Sequence, residues 1–101
     1  MWRSAAQTTA SVPAGTAGSL TTVTITVRDA NNNVRTVGGD QGLLSVSVSG
    51  ANTATPTVVD AGGGTYTASY TPAATGTDNL AITLSSTAIG GGPYSSAVSG
   101  S

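Results

Sequence analysis

The chain of 101 residues has no cysteine, histidine, lysine, glutamate or phenylalanine. Each absence removes a class of chemistry. Without cysteine there are no disulfides, thiolate nucleophiles or thiolate metal sites. Without histidine or lysine the abundant serines and threonines have no side-chain base to activate them as nucleophiles. The absence of lysine also excludes a Lys–Asn crosslink within the domain. Only 7% of residues are charged and the net charge is −1. That leaves no basic surface for a phosphate backbone or an anionic bilayer, so neither nucleic acid nor a membrane surface is an expected partner. No apolar run approaches the length of about 20 residues needed to cross a bilayer. The opening MWRSAAQTTA lacks the apolar stretch of a signal peptide. Met1 to Arg3 are expected to be a cloning remnant or a cut into a longer protein, with any export signal upstream.

What is present is hydroxyl, glycine and alternation. Thr, Ser, Asn and Gln must supply solubility, and Val, Leu, Ile and Ala must supply the core. A disordered chain would combine low hydrophobicity with high net charge. This one has 38% hydrophobic residues, a near-zero charge and a regular apolar period. Val23, Ile25 and Val27 alternate with Thr22, Thr24 and Thr26, the period-two pattern of a strand with one face on a core. Leu44, Val46 and Val48 repeat it, as do Tyr66, Ala68 and Tyr70, and then Leu80, Ile82 and Leu84. Short strands are also expected near residues 8–12, 57–59 and 94–98. Pro56 lacks an N–H, which assigns the 57–59 strand to a sheet edge.

The stretch DAGGGTYTASYTPAATG, residues 60–76, poses the choice between linker, ligand cradle and turn. Its glycines lead into a strand and not a helix, and no lysine follows, so a phosphate loop is excluded. The glycines are instead expected at positive φ in a turn between two strands. DANNN at 29–33 marks another turn. About seven short strands separated by turns, with no helical period, predict an all-β immunoglobulin-like two-sheet sandwich. The expected boundaries are a flexible segment at 1–7, one domain at 8–99 and a tail at 100–101, with no internal duplication.

DAGGGTYTASYTP resembles the filamin-repeat segment in which Asp, a turn and Gly-Thr-Tyr lead through alternation to Tyr-x-Pro. TITVRDANNN followed by GGD at 38–40 resembles the filamin second strand and its loop, and IGGGPY at 89–94 resembles the entry to the last strand. The likeness runs from about Val23 to Val98. Within it, Gly63 stands where Asp is common, Gly90 where Pro is common, Gly92 where Ser is common, and Tyr94 replaces Phe. The low charge is similar to repeats of bacterial surface, secreted or phage proteins. The resemblance implies a location outside a bacterial cell or on a phage particle, although a cysteine-free chain is equally compatible with the cytosol. It also implies peptide binding by strand addition between the third and fourth strands. The matching edge is Leu43, Leu44, Ser45, Val46, Ser47, Val48 and Ser49, with the serines on the outer side.

No catalytic or cofactor site is expected. The four carboxylates are Asp29, Asp40, Asp60 and Asp78. Asp29, Asp60 and Asp78 adjoin expected turns, where Asp caps backbone amides. Calcium is the one metal whose oxygen ligands the chain could supply, through Asp29, Asn31, Asn33 and Asp78, if these converge. Trp2 lies outside the alternation and could stack on a sugar or a neighbour, while Tyr66, Tyr70 and Tyr94 are expected to face inward. The expected function is therefore a non-catalytic structural or spacer repeat, a monomer in isolation, that contacts neighbouring repeats or a peptide strand. The alternative is a carbohydrate-binding or adhesion module, which needs aromatic rings exposed together.

Overall fold

A computed structural model describes residues 3–29, 31, 33–34, 42–90 and 94–100. Among these residues the chain forms nine strands and no α-helix. They are β1 (Arg3–Ser11), β2 (Gly15–Thr16), β3 (Thr21–Asp29), β4 (Leu44–Gly50), β5 (Val58–Gly62), β6 (Thr65–Tyr70), β7 (Gly76–Leu84), β8 (Thr87–Ala88) and β9 (Tyr94–Ser99). One sheet has the order β1-β3-β6-β5, and the other β2-β9-β7-β4 with β8 also on β7. The expected sandwich is thus present. The strands beyond the expected seven are the two-residue β2 and β8, too short to display any period.

The strands β3, β4, β6 and β7 are built from the alternation. In β3 the inward Thr21, Val23, Ile25, Val27 and Asp29 are buried, while Thr22 is exposed and Thr24, Thr26 and Arg28 are partly so. Val23, Ile25, Val27, Tyr66, Ala68 and Tyr70 from one sheet meet Leu44, Val46, Val48, Leu80, Ile82 and Leu84 from the other in a single core. Each large side chain so buried contributes about 1.5–3 kcal/mol relative to exposure. A core of β-branched and Leu residues therefore compensates for the missing phenylalanine.

The glycine-rich stretch is the β5–β6 hairpin. Gly62 pairs with Thr65, and Gly63 and Gly64 form the turn between them. All three glycines have positive φ (96°, 64° and 85°), a geometry that costs an L-residue roughly 1–2 kcal/mol. The Asp60 carboxylate accepts the Gly62 amide at 2.8 Å and holds the entry to the turn. β5 ends its sheet, as expected, although Pro56 lies just before the strand and not within it.

β1 begins at Arg3, earlier than the 8–12 span read from the pattern, because its pairing with β3 is interrupted. Arg3 and Ser4 pair with Asp29 and Arg28, and pairing resumes at Thr9. The buried Thr8 fills the interruption. Its hydroxyl donates to the Ser4 carbonyl at 2.7 Å and accepts the Arg28 amide at 3.2 Å. The Gly90 amide donates to the carbonyls of Ala5 and Thr8 at 2.8 and 2.9 Å, and a Cβ at Gly90 would overlap the Ala6 carbonyl oxygen. Proline, common here in filamin-like sequences, could make neither amide bond. Tyr94 completes the junction, donating to the Gly90 carbonyl and accepting the Ala10 amide at 3.0 Å.

Candidate protein-binding edge

The strand-addition edge expected from the sequence is β4, preceded by Leu43. β4 ends its sheet and pairs through its whole length with β7, from Leu44↔Leu84 to Gly50↔Asp78. Leu44, Val46 and Val48 point into the core, and Ser45, Ser47 and Ser49 are exposed. Leu43 lies outside the strand, 38% exposed, and its carbonyl accepts the Ser85 amide at 2.9 Å.

In an antiparallel ladder both main-chain groups of one residue point to the same neighbour, and the side alternates along the strand. Val48 gives its N–H and C=O to Ala54, at 2.8 and 3.1 Å, on the side away from β7. The groups of Leu44 and Val46 therefore point to that same side, and those of Ser45, Ser47 and Ser49 point to β7. The edge available to another strand is thus shorter than the seven residues read from the sequence. Ala54 occupies its Val48 position, leaving Leu44 and Val46 without a β-partner on that side among the described residues. Residues 35–41, including the GGD motif and Asp40, lie outside the described residues, as do Trp2 and Gly91 to Pro93.

The four calcium candidates do not all converge: Asp29, Asn31 and Asn33 share one turn and Asp78 lies apart. Asp29 is a turn cap, as expected: its carboxylate accepts the amides of Asn31 and Asn33 at 2.9 and 3.0 Å. Asp78 lies at the other end of the sandwich, hydrogen-bonded to Tyr70, which pairs with Thr21 at the opposite end of β3 from Asp29. Eight steps along that strand, at about 3.3 Å each, separate the two ends by about 26 Å.

Nor is Asp78 merely a local turn cap. It is fully buried, and its carboxylate accepts the Tyr70 hydroxyl at 2.7 Å, the Asn52 amide at 2.9 Å and the Asn52 side-chain amide at 2.9 and 3.1 Å. Asn52 in turn accepts the amides of Ala73 and Ala74, both at 2.9 Å, and donates to the Ala74 carbonyl at 3.0 Å. One carboxylate therefore ties the loop after β4 and the loop after β6 to β7. Burial of the Tyr70 phenol, its bond to Asp78 and the nearby negative charge raise its pKa to about 12, with the Ser96 hydroxyl acting in the opposite direction. The sequence carried one signal of this cluster: Asp78 has the same parity as the inward Leu80, Ile82 and Leu84.

The tyrosines face inward as expected. Tyr66 is 0% exposed, Tyr70 is buried and Tyr94 is half-buried with its hydroxyl bonded to backbone. A carbohydrate platform needs such rings exposed side by side, and the described tyrosines do not form one.

The two ends of the domain are at opposite poles. Arg3 pairs with Asp29, whereas Ser99 pairs with Thr16 and accepts the Ala17 amide at 2.9 Å, beside the loop whose Gly18 amide bonds Pro72. The long axis measures 43 Å against 22 and 17 Å across.

The same architecture occurs in known proteins. The chain superposes on the Lin-41 filamin domain with a TM-score of 0.81, at 20% identity over 96% of each chain. It superposes on FdeC, an Escherichia coli adhesin, with a TM-score of 0.71 at 24% identity, and on the Yersinia pseudotuberculosis adhesin InvE with a TM-score of 0.70 at 27% identity. In both cases 98% of this chain is covered, but only 33% and 28% of the adhesin chains, so it spans about a third of their length. No curated protein sequence matches it. The filamin/ABP280 repeat model matches residues 4–95, and with that span of the sandwich accounted for, the chain belongs to the filamin/ABP280 repeat family.

Proposed function

We propose that this domain is a non-catalytic spacer repeat of a larger surface or extracellular protein, arranged in line with neighbouring domains. The observation that carries the reading is the placement of the chain ends at opposite poles of a 43 Å body. A domain so built adds its length to a stalk instead of folding back on its neighbour. The likeness to adhesin chains about three times as long supports a surface location and a role within an array. The residue inventory supports a mechanical and not a chemical task, since no histidine, cysteine or lysine is present to act as base or nucleophile.

Within this reading, the segment 43–49 is the contact edge for a peptide strand or a neighbouring repeat, through the outward main-chain groups of Leu44 and Val46. Leu44 and Val46 each present an amide and a carbonyl, and the small exposed Ser45 and Ser47 leave room for apolar side chains of the incoming strand. Two residues of ladder confer little affinity, so the contact operates at the high effective concentration of a tethered neighbour. Small-angle scattering of two and three repeats joined by their native flanking sequence tests the spacer reading. The maximum dimension should grow by about one long axis per repeat, and compact particles would refute it. Hydrogen exchange in the same tandem tests the edge: slowed exchange at Leu44 and Val46 relative to the single domain supports docking, and unchanged exchange refutes it.

A further inference from the structure

Residues 53–57, TATPT, form the irregular crossing from β4 in one sheet to β5 in the other. Ala54 and Pro56 are half-buried, and Ala54 is pinned to Val48 by two main-chain hydrogen bonds. Thr53, Thr55 and Thr57 are all exposed. Their hydroxyls have no hydrogen-bond partner among the described residues, in contrast to Thr8, which fills the β1 interruption, and Thr22, whose hydroxyl lies 3.0 Å from that of Ser69. Most other threonines sit in paired strands, where an enzyme cannot engage the backbone on both sides. This segment lies outside the strands, is held at Ala54 and exposes its threonines, with three alternating hydroxyls around a proline. Threonine and proline together are also the composition of O-glycosylated stalks.

A second observation gives the position a purpose. Sheet edges are normally guarded by charge, proline or cover. The edge strand that this crossing leads into, β5, is almost bare of charge: from Val58 to Gly62 the one charged residue is Asp60, and its carboxylate is engaged with the Gly62 amide. The exposed Val59, 56% accessible, lies on this edge.

We propose that Thr53, Thr55 and Thr57 are acceptors for O-linked sugar, and that the sugar guards the adjoining edge of β5. The donor is a nucleoside-diphosphate sugar used by a glycosyltransferase of the producing cell. The threonine Oγ attacks the anomeric carbon and forms the glycosidic C–O bond. The bond from that carbon to the phosphate oxygen breaks, the nucleoside diphosphate leaves with the electron pair, and the hydroxyl proton passes to a base of the transferase. No redox partner is needed.

The test is mass spectrometry of the full protein isolated from its producing cell, with electron-transfer fragmentation to assign sites. Sugar-sized additions on the peptide containing residues 53–57 are expected, and they should vanish in the T53V/T55V/T57V variant. Unmodified threonines at all three positions would overturn the proposal, whether or not sugar is found elsewhere. Because these side chains are exposed, the unglycosylated triple variant and the unglycosylated wild type should melt together. This separates loss of acceptors from loss of fold. Enzymatic removal of the sugar should increase self-association of the tandem protein, and no change would overturn the guarding role.

Discussion

Replacing Tyr70 with phenylalanine removes one oxygen atom from a fully buried carboxylate cluster. The Asp78 carboxylate keeps its bonds to Asn52 and loses the 2.7 Å bond from the phenol. A hydrogen bond to a charged group is worth roughly 1.5–3 kcal/mol net, and the ring itself stays packed. Urea unfolding at pH 8 should therefore show a loss of about 2 kcal/mol with an unchanged m-value. That is a sizeable share of the roughly 5–15 kcal/mol typical of a domain. The pH dependence supplies a sharper check. The folded-state pKa of Tyr70, about 12, lies above its ordinary value of 10.0. Between those values the unfolded chain has released the phenolic proton while the folded chain still holds it, so stability falls as pH rises. The contribution is fully present below pH 10 and is lost as pH climbs through 12. A shift of about two units corresponds to roughly 3 kcal/mol. Y70F lacks this group, so its stability curve should be flatter than that of the wild type across pH 10–12. Parallel curves would refute the assignment of the alkaline loss to the Tyr70–Asp78 bond.

Asp78→Ala should be more damaging than Y70F, by about 1–3 kcal/mol in urea titrations, because the Tyr70 hydroxyl and the Asn52 amide are left buried without their acceptor. Gly90→Ala places a methyl group on the Ala6 carbonyl and should cost about 3 kcal/mol or more, seen as a lower melting temperature; Gly90→Pro should cost still more, since it also removes the amide shared by Ala5 and Thr8. Tyr94→Phe should cost about 1–2 kcal/mol and speed amide exchange at Ala10, whose acceptor it removes. Millimolar calcium should leave the melting temperature unchanged, because Asp29 and Asp78 lie at opposite poles of the sandwich; a clear rise would show that another oxygen cluster assembles.

The alternation of apolar and hydroxyl residues determined most of the fold by itself. Period two is a local property: Val23, Ile25 and Val27 must share a face wherever the strand is placed, and the same holds for Leu80, Ile82 and Leu84. Glycines 62–64 likewise marked a turn at positive φ before any partner strand was known. The tertiary structure decided everything that depends on atoms distant in sequence. Asn52, Tyr70 and Asp78 share a hydrogen-bonded cluster only because β4, β6 and β7 end at the same pole. Nothing at residue 78 announces which donors will meet its carboxylate. The open length of β4 was equally hidden, since composition cannot tell that Ala54 doubles back onto Val48. The separation of Asp29 from Asp78 was invisible for the same reason: two carboxylates of suitable type become a cation site only when the chain path brings them together, and here a whole strand lies between them.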